Sequence, residues 1–168
     1  METLFSTLVK EPESQYSIRF QDCDPMGHLN NSRFVDYILN AREDHLEQYY
    51  NMRLMDYLAK GQGWVVANHE IYYLKQALCN EKVKIRTSVV DFGENDLTVE
   101  GAIYDEGGTK LKCLLWTRYV FVSSRTGKKE NHTPELLEFF TQVKNENIID
   151  GQQCKQRLQQ LLSKEKLG

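Results

Sequence analysis

The sequence predicts an α+β fold in which an antiparallel sheet wraps around one long helix, with extra helices at the C-terminus. Three observations predict it. The longest helical pattern before the C-terminus, residues 32–50, falls between a first strand and all the others. Four strand-like segments then follow one another, joined mostly by short connections rich in Gly, Asp and Asn. Strands and helices are therefore segregated, which argues against an alternating parallel α/β sheet.

Residues 1–13 form a lead-in that carries acids and lacks the basic-then-apolar order of a signal peptide. A first strand is predicted over 14–21. A loop follows, Gln21-Asp22-Cys23-Asp24-Pro25-Met26-Gly27-His28-Leu29-Asn30-Asn31-Ser32, which gathers two carboxylates, an imidazole and two amides. Asp24-Pro25 and Gly27 punctuate it, because Pro restricts the residue before it and Gly tolerates positive φ. Asn30 or Asn31 is placed to cap the helix. In that helix Phe34, Val35, Ile38, Leu39, Leu46 and Tyr49 recur at three- and four-residue steps, with Arg33, Asp36, Asn40, Glu43 and Glu47 on the other side. A short helix over 52–60 stops at Gly61-Gln62-Gly63.

From Trp64 the period changes to two. Residues 64–74 are rich in β-branched and aromatic side chains. Over 82–90, Val83, Ile85, Thr87 and Val89 alternate with Lys82, Lys84, Arg86 and Ser88. Residues 97–104 alternate again, and 111–122 are apolar on both faces. These strands are expected to run antiparallel as a meander. A polar loop over 123–132 leads to helices over 134–143 and 152–164. The domain organisation is then the lead-in, one globular unit over 14–131 and a helical extension over 132–168. One helix buries one face of such a sheet; the other face and the edges are expected to need a partner subunit.

A length of 168 residues suits one domain with a real core. The chain is 40% hydrophobic and 27% charged with a net charge of −3, which leaves no electrostatic footprint for nucleic acid. No apolar run approaches the ~20 residues that span a bilayer. The four cysteines, Cys23, Cys79, Cys113 and Cys154, are dispersed without a CxxC, as expected of reduced thiols in a cytoplasmic protein.

The loop, with Phe20 before it and the aromatic–apolar helix after it, resembles the hot-dog fold thioesterases. Asp22, Asp24 and Gly27 match the Asp-x-Asp-x-x-Gly of the branch similar to 4-hydroxybenzoyl-CoA thioesterase. Asp24, His28, Asn30 and Asn31 match the Asp and His-x-Asn-Asn of acyl-ACP thioesterases. The resemblance extends to the element order over about 14–124. It implies a hot-dog fold, a homodimer or homotetramer, and hydrolysis of an acyl-CoA or acyl-carrier-protein thioester with no metal and no cofactor. Two features depart from the pattern: Met26 stands where the plant acyl-ACP enzymes have Asn, and the last 35 or so residues have no counterpart in the shorter members.

Thioester hydrolysis needs a base or nucleophile at the carbonyl and donors for the oxyanion. Asp24 is the candidate for the first role, as general base or as nucleophile. Its structural alternative is to cap the turn. His28 either orients water or the thioester oxygen, or braces the loop. Asn30 is first a cap candidate and is counted with Asp24 and His28 as a candidate catalytic group that touches substrate, and Asn31 is a candidate substrate contact. Asp22 is read as a loop-shaping residue, and no further acidic cluster completes a metal site around it. For the phosphates of the thiol carrier, Arg125 and Lys128 are the favoured contacts in Ser123-Ser124-Arg125-Thr126-Gly127-Lys128-Lys129, ahead of Lys129, Arg86 and Arg118. Trp64, Tyr72, Tyr73 and Trp116 are read as core or dimer contacts that could also line an acyl pocket. Two other functions are weighed. A hot-dog hydratase would carry Asn-Pro where Pro25-Met26 stands, and a non-catalytic acyl-CoA binding module would bind without turnover.

Overall fold

The helix α1 (Asn31–Tyr50) is the element on which the sheet is laid. A computed structural model describes residues 8–168; the first seven residues of the expected lead-in lie outside the described residues. The Asn30 side chain accepts from the Ser32 N–H and starts α1, and Asn51, in the left-handed region at φ 51°, ends it. Its buried stripe is Phe34, Ile38, Ala41, Arg42, His45 and Leu46. Two charged or titratable residues thus occupy positions that the apolar pattern did not mark. Tyr49, expected in the stripe, is exposed and donates its hydroxyl to the Glu13 carbonyl.

Five strands form one antiparallel sheet: β1 (Glu13–Ser17), β2 (Gln62–Tyr73), β3 (Lys82–Phe92), β4 (Asp96–Asp105) and β5 (Leu111–Ser123), in the order β1-β3-β4-β5-β2. The expected meander holds for β3, β4 and β5. β2 departs from it by pairing with β5 at the far edge instead of with β3. The connection 74–81 is too long for a tight hairpin turn, and it passes the start of α1, where Leu29 donates to Ala77 and Cys79 to Gly27. The predicted first strand is also shorter. The ladder stops at Ser17, the Arg19 N–H turns to the Tyr37 hydroxyl, and Phe20–Asp22 makes a single 3-10 turn.

The alternation read from β3 and β4 sets the face toward α1. Val83, Ile85, Ile103, Cys113 and Leu115 pack with Phe34, Ile38 and Ala41. Gly101 is required there, because a Cβ would stand 2.1 Å from the Ile38 Cγ2. A short helix, α2 (Leu54–Ala59), precedes β2, and α3 (Pro134–Val143) closes the end of the same face through Leu136, Phe140 and Val143.

The opposite face does not wait for a partner. α4 (Cys154–Leu167) covers it, with Cys154, Leu158 and Ile148 against Ala102, Leu114 and Trp116. Arg157, 2% exposed, forks onto Glu100, 3% exposed, with Nη2 3.0 Å from Oε1 and Nε 3.1 Å from Oε2. The Trp116 indole donates to the same carboxylate at 2.8 Å. What stays open is the long β2 edge, where Val65 and Val66 are exposed.

Candidate active site

The loop between β1 and α1 is a pair of interlocked turns. Asp24 donates its N–H to the His28 carbonyl at 2.7 Å, and Gly27 donates to the Asp24 carbonyl at 3.0 Å. Gly27 sits at φ +78°, which suits glycine at this turn. The Asp24 Oδ1 accepts the N–H of Met26 at 2.9 Å and that of His28 at 3.2 Å. So Asp24 does shape the turn, but with one oxygen only. Its Oδ2 has no partner among the described residues, and the carboxylate is half-buried. Both readings weighed for this residue are therefore compatible in one geometry: the turn orients the carboxylate, and one oxygen remains for chemistry.

Asp22 is tied down. Its Oδ2 accepts from the Tyr37 hydroxyl at 2.8 Å, its carbonyl accepts from the Asn30 N–H, and Arg33 lies 4.0 Å from Oδ1. This is the loop-shaping role read from the sequence. Asn30 uses its Oδ1 on the Ser32 N–H and hydroxyl, which leaves its amide NH2 uncommitted among the described residues. Asn31 is the first helical residue, and its carbonyl accepts the Tyr73 hydroxyl at 3.0 Å. That bond fixes the start of α1 beside the end of β2. His28 is half-buried and pairs by its backbone with Leu78. Burial, the neighbouring Cys79 thiol and the Asp22 and Asp24 carboxylates all hold the Cys23 thiol above the ordinary range, which disfavours the thiolate.

Arg125 and Lys128 are not brought to this loop within one chain. They sit in the connection after β5, whose Ser123 pairs with Gln62, at the opposite end of β2 from Tyr73. The Arg125 guanidinium lies over Gly61. Of the other basic candidates, Arg86 is engaged with Glu13 and Arg118 with Asp96.

That same far end holds a cavity of about 350 Å³, which sequence reasoning did not locate. Leu39, Leu46, Met52, Leu58, Leu97 and Phe140 are among its apolar lining, together with Trp64 and Tyr119. Arg42 also lines it and is 7% exposed. Beside Arg42 lies a polar row: His45 bonds Thr87 at 2.7 Å and Ser14 at 2.8 Å. Burial, reinforced by the Arg42 charge, pushes the His45 imidazole down to about 4, so it is neutral near pH 7. The signal for both residues was present in the sequence. Arg42 and His45 lie four and seven positions after Ile38, on the inward stripe.

The sheet, the central helix and their order define the hot-dog architecture. The thioesterase-like superfamily model matches residues 18–140, and the chain belongs to that superfamily. No curated protein matches the sequence. Among solved structures, a DHNA-CoA thioesterase from Staphylococcus aureus is similar at 20% identity and TM-score 0.73, over 79% of this chain and 90% of that one. A probable thioesterase from Escherichia coli is 22% identical with TM-score 0.68, over 79% and 98%. A putative oleoyl thioesterase from Lactobacillus plantarum is 21% identical with TM-score 0.73, over 79% of this chain and 51% of that one. No helix of the described residues is long and apolar enough to cross a membrane.

Proposed function

We propose that this protein hydrolyses an acyl-CoA or acyl-carrier-protein thioester, with Asp24 as the group that drives the attack. The observation that carries the reading is the Asp24 carboxylate: Oδ1 is pinned by two backbone N–H groups and Oδ2 is left without a partner among the described residues. It belongs to the loop that leads into a helix N-terminus, where the Asn31 N–H precedes the intrahelical ladder. As general base, Asp24 takes a proton from water while the water oxygen attacks the thioester carbon. The carbonyl oxygen gains negative charge, which helix N–H donors offset. Collapse then breaks the C–S bond, and the thiol leaves with the proton. As nucleophile, the same oxygen would attack the thioester carbon and expel the thiolate, giving an anhydride; water cleaves it to the acid and the restored carboxylate, and its proton goes to the thiolate. His28 and the Asn30 amide are the supporting polar groups.

The working unit in this reading is a homodimer paired along β2. α1 and β2 run in opposite directions, since Asn31 meets Tyr73 while Leu46 shares the cavity with Trp64. The cavity lies about 16 Å along α1 from its start, at 1.5 Å per residue. Antiparallel pairing of two β2 edges about a two-fold axis near mid-strand sets the partner's Tyr73 end beside this chain's Trp64 end. Each Asp24 loop then faces the cavity, Arg125 and Lys128 of the other copy. The unpaired β2 edge with exposed Val65 and Val66 supports this pairing.

The test is thiol release from a panel of acyl-CoAs. Wild type turns over at least one, and Asp24→Asn loses about two orders of magnitude or more in kcat. A folded Asp24→Asn with full activity removes Asp24 from the mechanism.

A further inference from the structure

We propose that the cavity beneath α1 and α2 takes an acyl group whose far end carries a carboxylate, and that Arg42 binds that carboxylate. The proposal rests on the thioesterase reading for the identity of the ligand's other end. Its basis is a buried cation without an anion among the described residues. Arg42 is 7% exposed, and its Nη1 has one neutral partner, Thr87 Oγ1, at a long 3.4 Å. The ionisable groups that act on it are the phenols of Tyr50 and Tyr119; no carboxylate does so among the described residues. A protein interior normally sets a carboxylate against such a charge, as this chain does for Arg157 with Glu100.

Beyond Thr87 and the Tyr50 hydroxyl, Arg42 has no hydrogen-bond partner among the described residues. No fully enclosed side-chain nitrogen among those residues lacks a partner, so the remaining N–H groups of Arg42 are not sealed off, and Arg42 lines the cavity. Asn40, Glu43, Met55 and Leu58 are exposed and form the mouth, while Arg42 and Phe140 are buried and form the floor. Between them the wall is apolar. An occupant that fits this order is apolar along its length and anionic at its tip. At about 30 Å³ for each water-sized group, the cavity holds on the order of ten such groups. That is a medium-length acyl chain. A plain alkyl end would cover the guanidinium and strip it of water without a partner, whereas a carboxylate accepts its parallel N–H groups.

The test compares matched pairs, octanoyl-CoA with suberoyl-CoA and decanoyl-CoA with sebacoyl-CoA, by thiol release from wild type and Arg42→Met. The expected result is a wild-type kcat/KM at least about 30-fold higher for the ω-carboxylated member. Arg42→Met then brings the ratio of the two kcat/KM values to near one, whatever the absolute rates. A wild type that prefers the plain chain overturns the proposal, and so does an Arg42→Met that slows both members alike. A second readout needs no turnover: the rise in Tm given by free octanoate and by 1-octanol. A rise with octanoate that Arg42→Met abolishes supports the site even where no thioester is cleaved, and in that case the thioesterase reading alone fails. Equal effects of the acid and the alcohol on wild type overturn the site whatever the activity.

Discussion

Among the described residues two arginines are buried, on opposite faces of the same sheet, and their surroundings differ. Arg157 on the α4 side meets Glu100 in a two-pronged ion pair and also bonds Gln160. Arg42 on the α1 side meets hydroxyls and a cavity. The first arrangement is complete within the chain and fastens a helix. The second is incomplete within the described residues. The difference separates a structural use of burial from one that calls for a ligand, and it does so by charge accounting alone.

Stability measurements can break that comparison. The largest effect is expected at Arg157. Arg157→Met strands Glu100 as a buried, unpaired carboxylate and costs about 3–5 kcal/mol in urea unfolding at pH 7. Arg42→Met removes a charge that has no anion, and unfolding stability changes by less than about 1 kcal/mol in either direction. Equal losses at the two sites would erase the distinction.

Acid unfolding sharpens it. His45 is held down to about 4 in the folded chain, first by burial and then by Arg42. The unfolded chain takes up this proton near the ordinary histidine value of 6.5, so between there and about 4 the unfolded state binds more protons. Stability is therefore fully present above 6.5 and falls as pH drops through this window, by on the order of 2 kcal/mol. Urea titrations at pH 7 and pH 4.5 should show this loss in wild type and a smaller one in Arg42→Met, which lacks the repelling charge. An unchanged loss would mean that Arg42 does not act on His45.

Much of the framework was legible in the sequence, for reasons that are local. The three- and four-residue steps from Phe34 to Leu46 mark α1, and the alternation from Val83 to Val89 marks the inward face of β3. Pro134 after Thr133 marks the start of α3. The loop was legible because Asp24-Pro25 and Gly27 write its turns. What was hidden depends on contacts distant in sequence. The pairing of β2 with β5 is decided across the sheet, not by the 74–81 connection. The role of α4 depends on Arg157 finding Glu100, 57 residues away. The cavity draws on three helices and three strands at once, and a pattern that counts only apolar side chains left out Arg42 and His45 on the inward stripe.

The division of labour between the two ends of α1 is tested most directly by mixing subunits. Asp24→Asn keeps the cavity and lacks the carboxylate; Leu39→Trp keeps the carboxylate and fills the cavity from α1. Each alone is expected to be nearly inactive in thiol release. After subunit exchange in equal amounts, half the dimers are mixed, and each mixed dimer holds one site with both parts intact. Activity should then recover to about a quarter of wild type. A mixture no more active than its two components would contradict a site shared between the Asp24 loop of one copy and the cavity of the other.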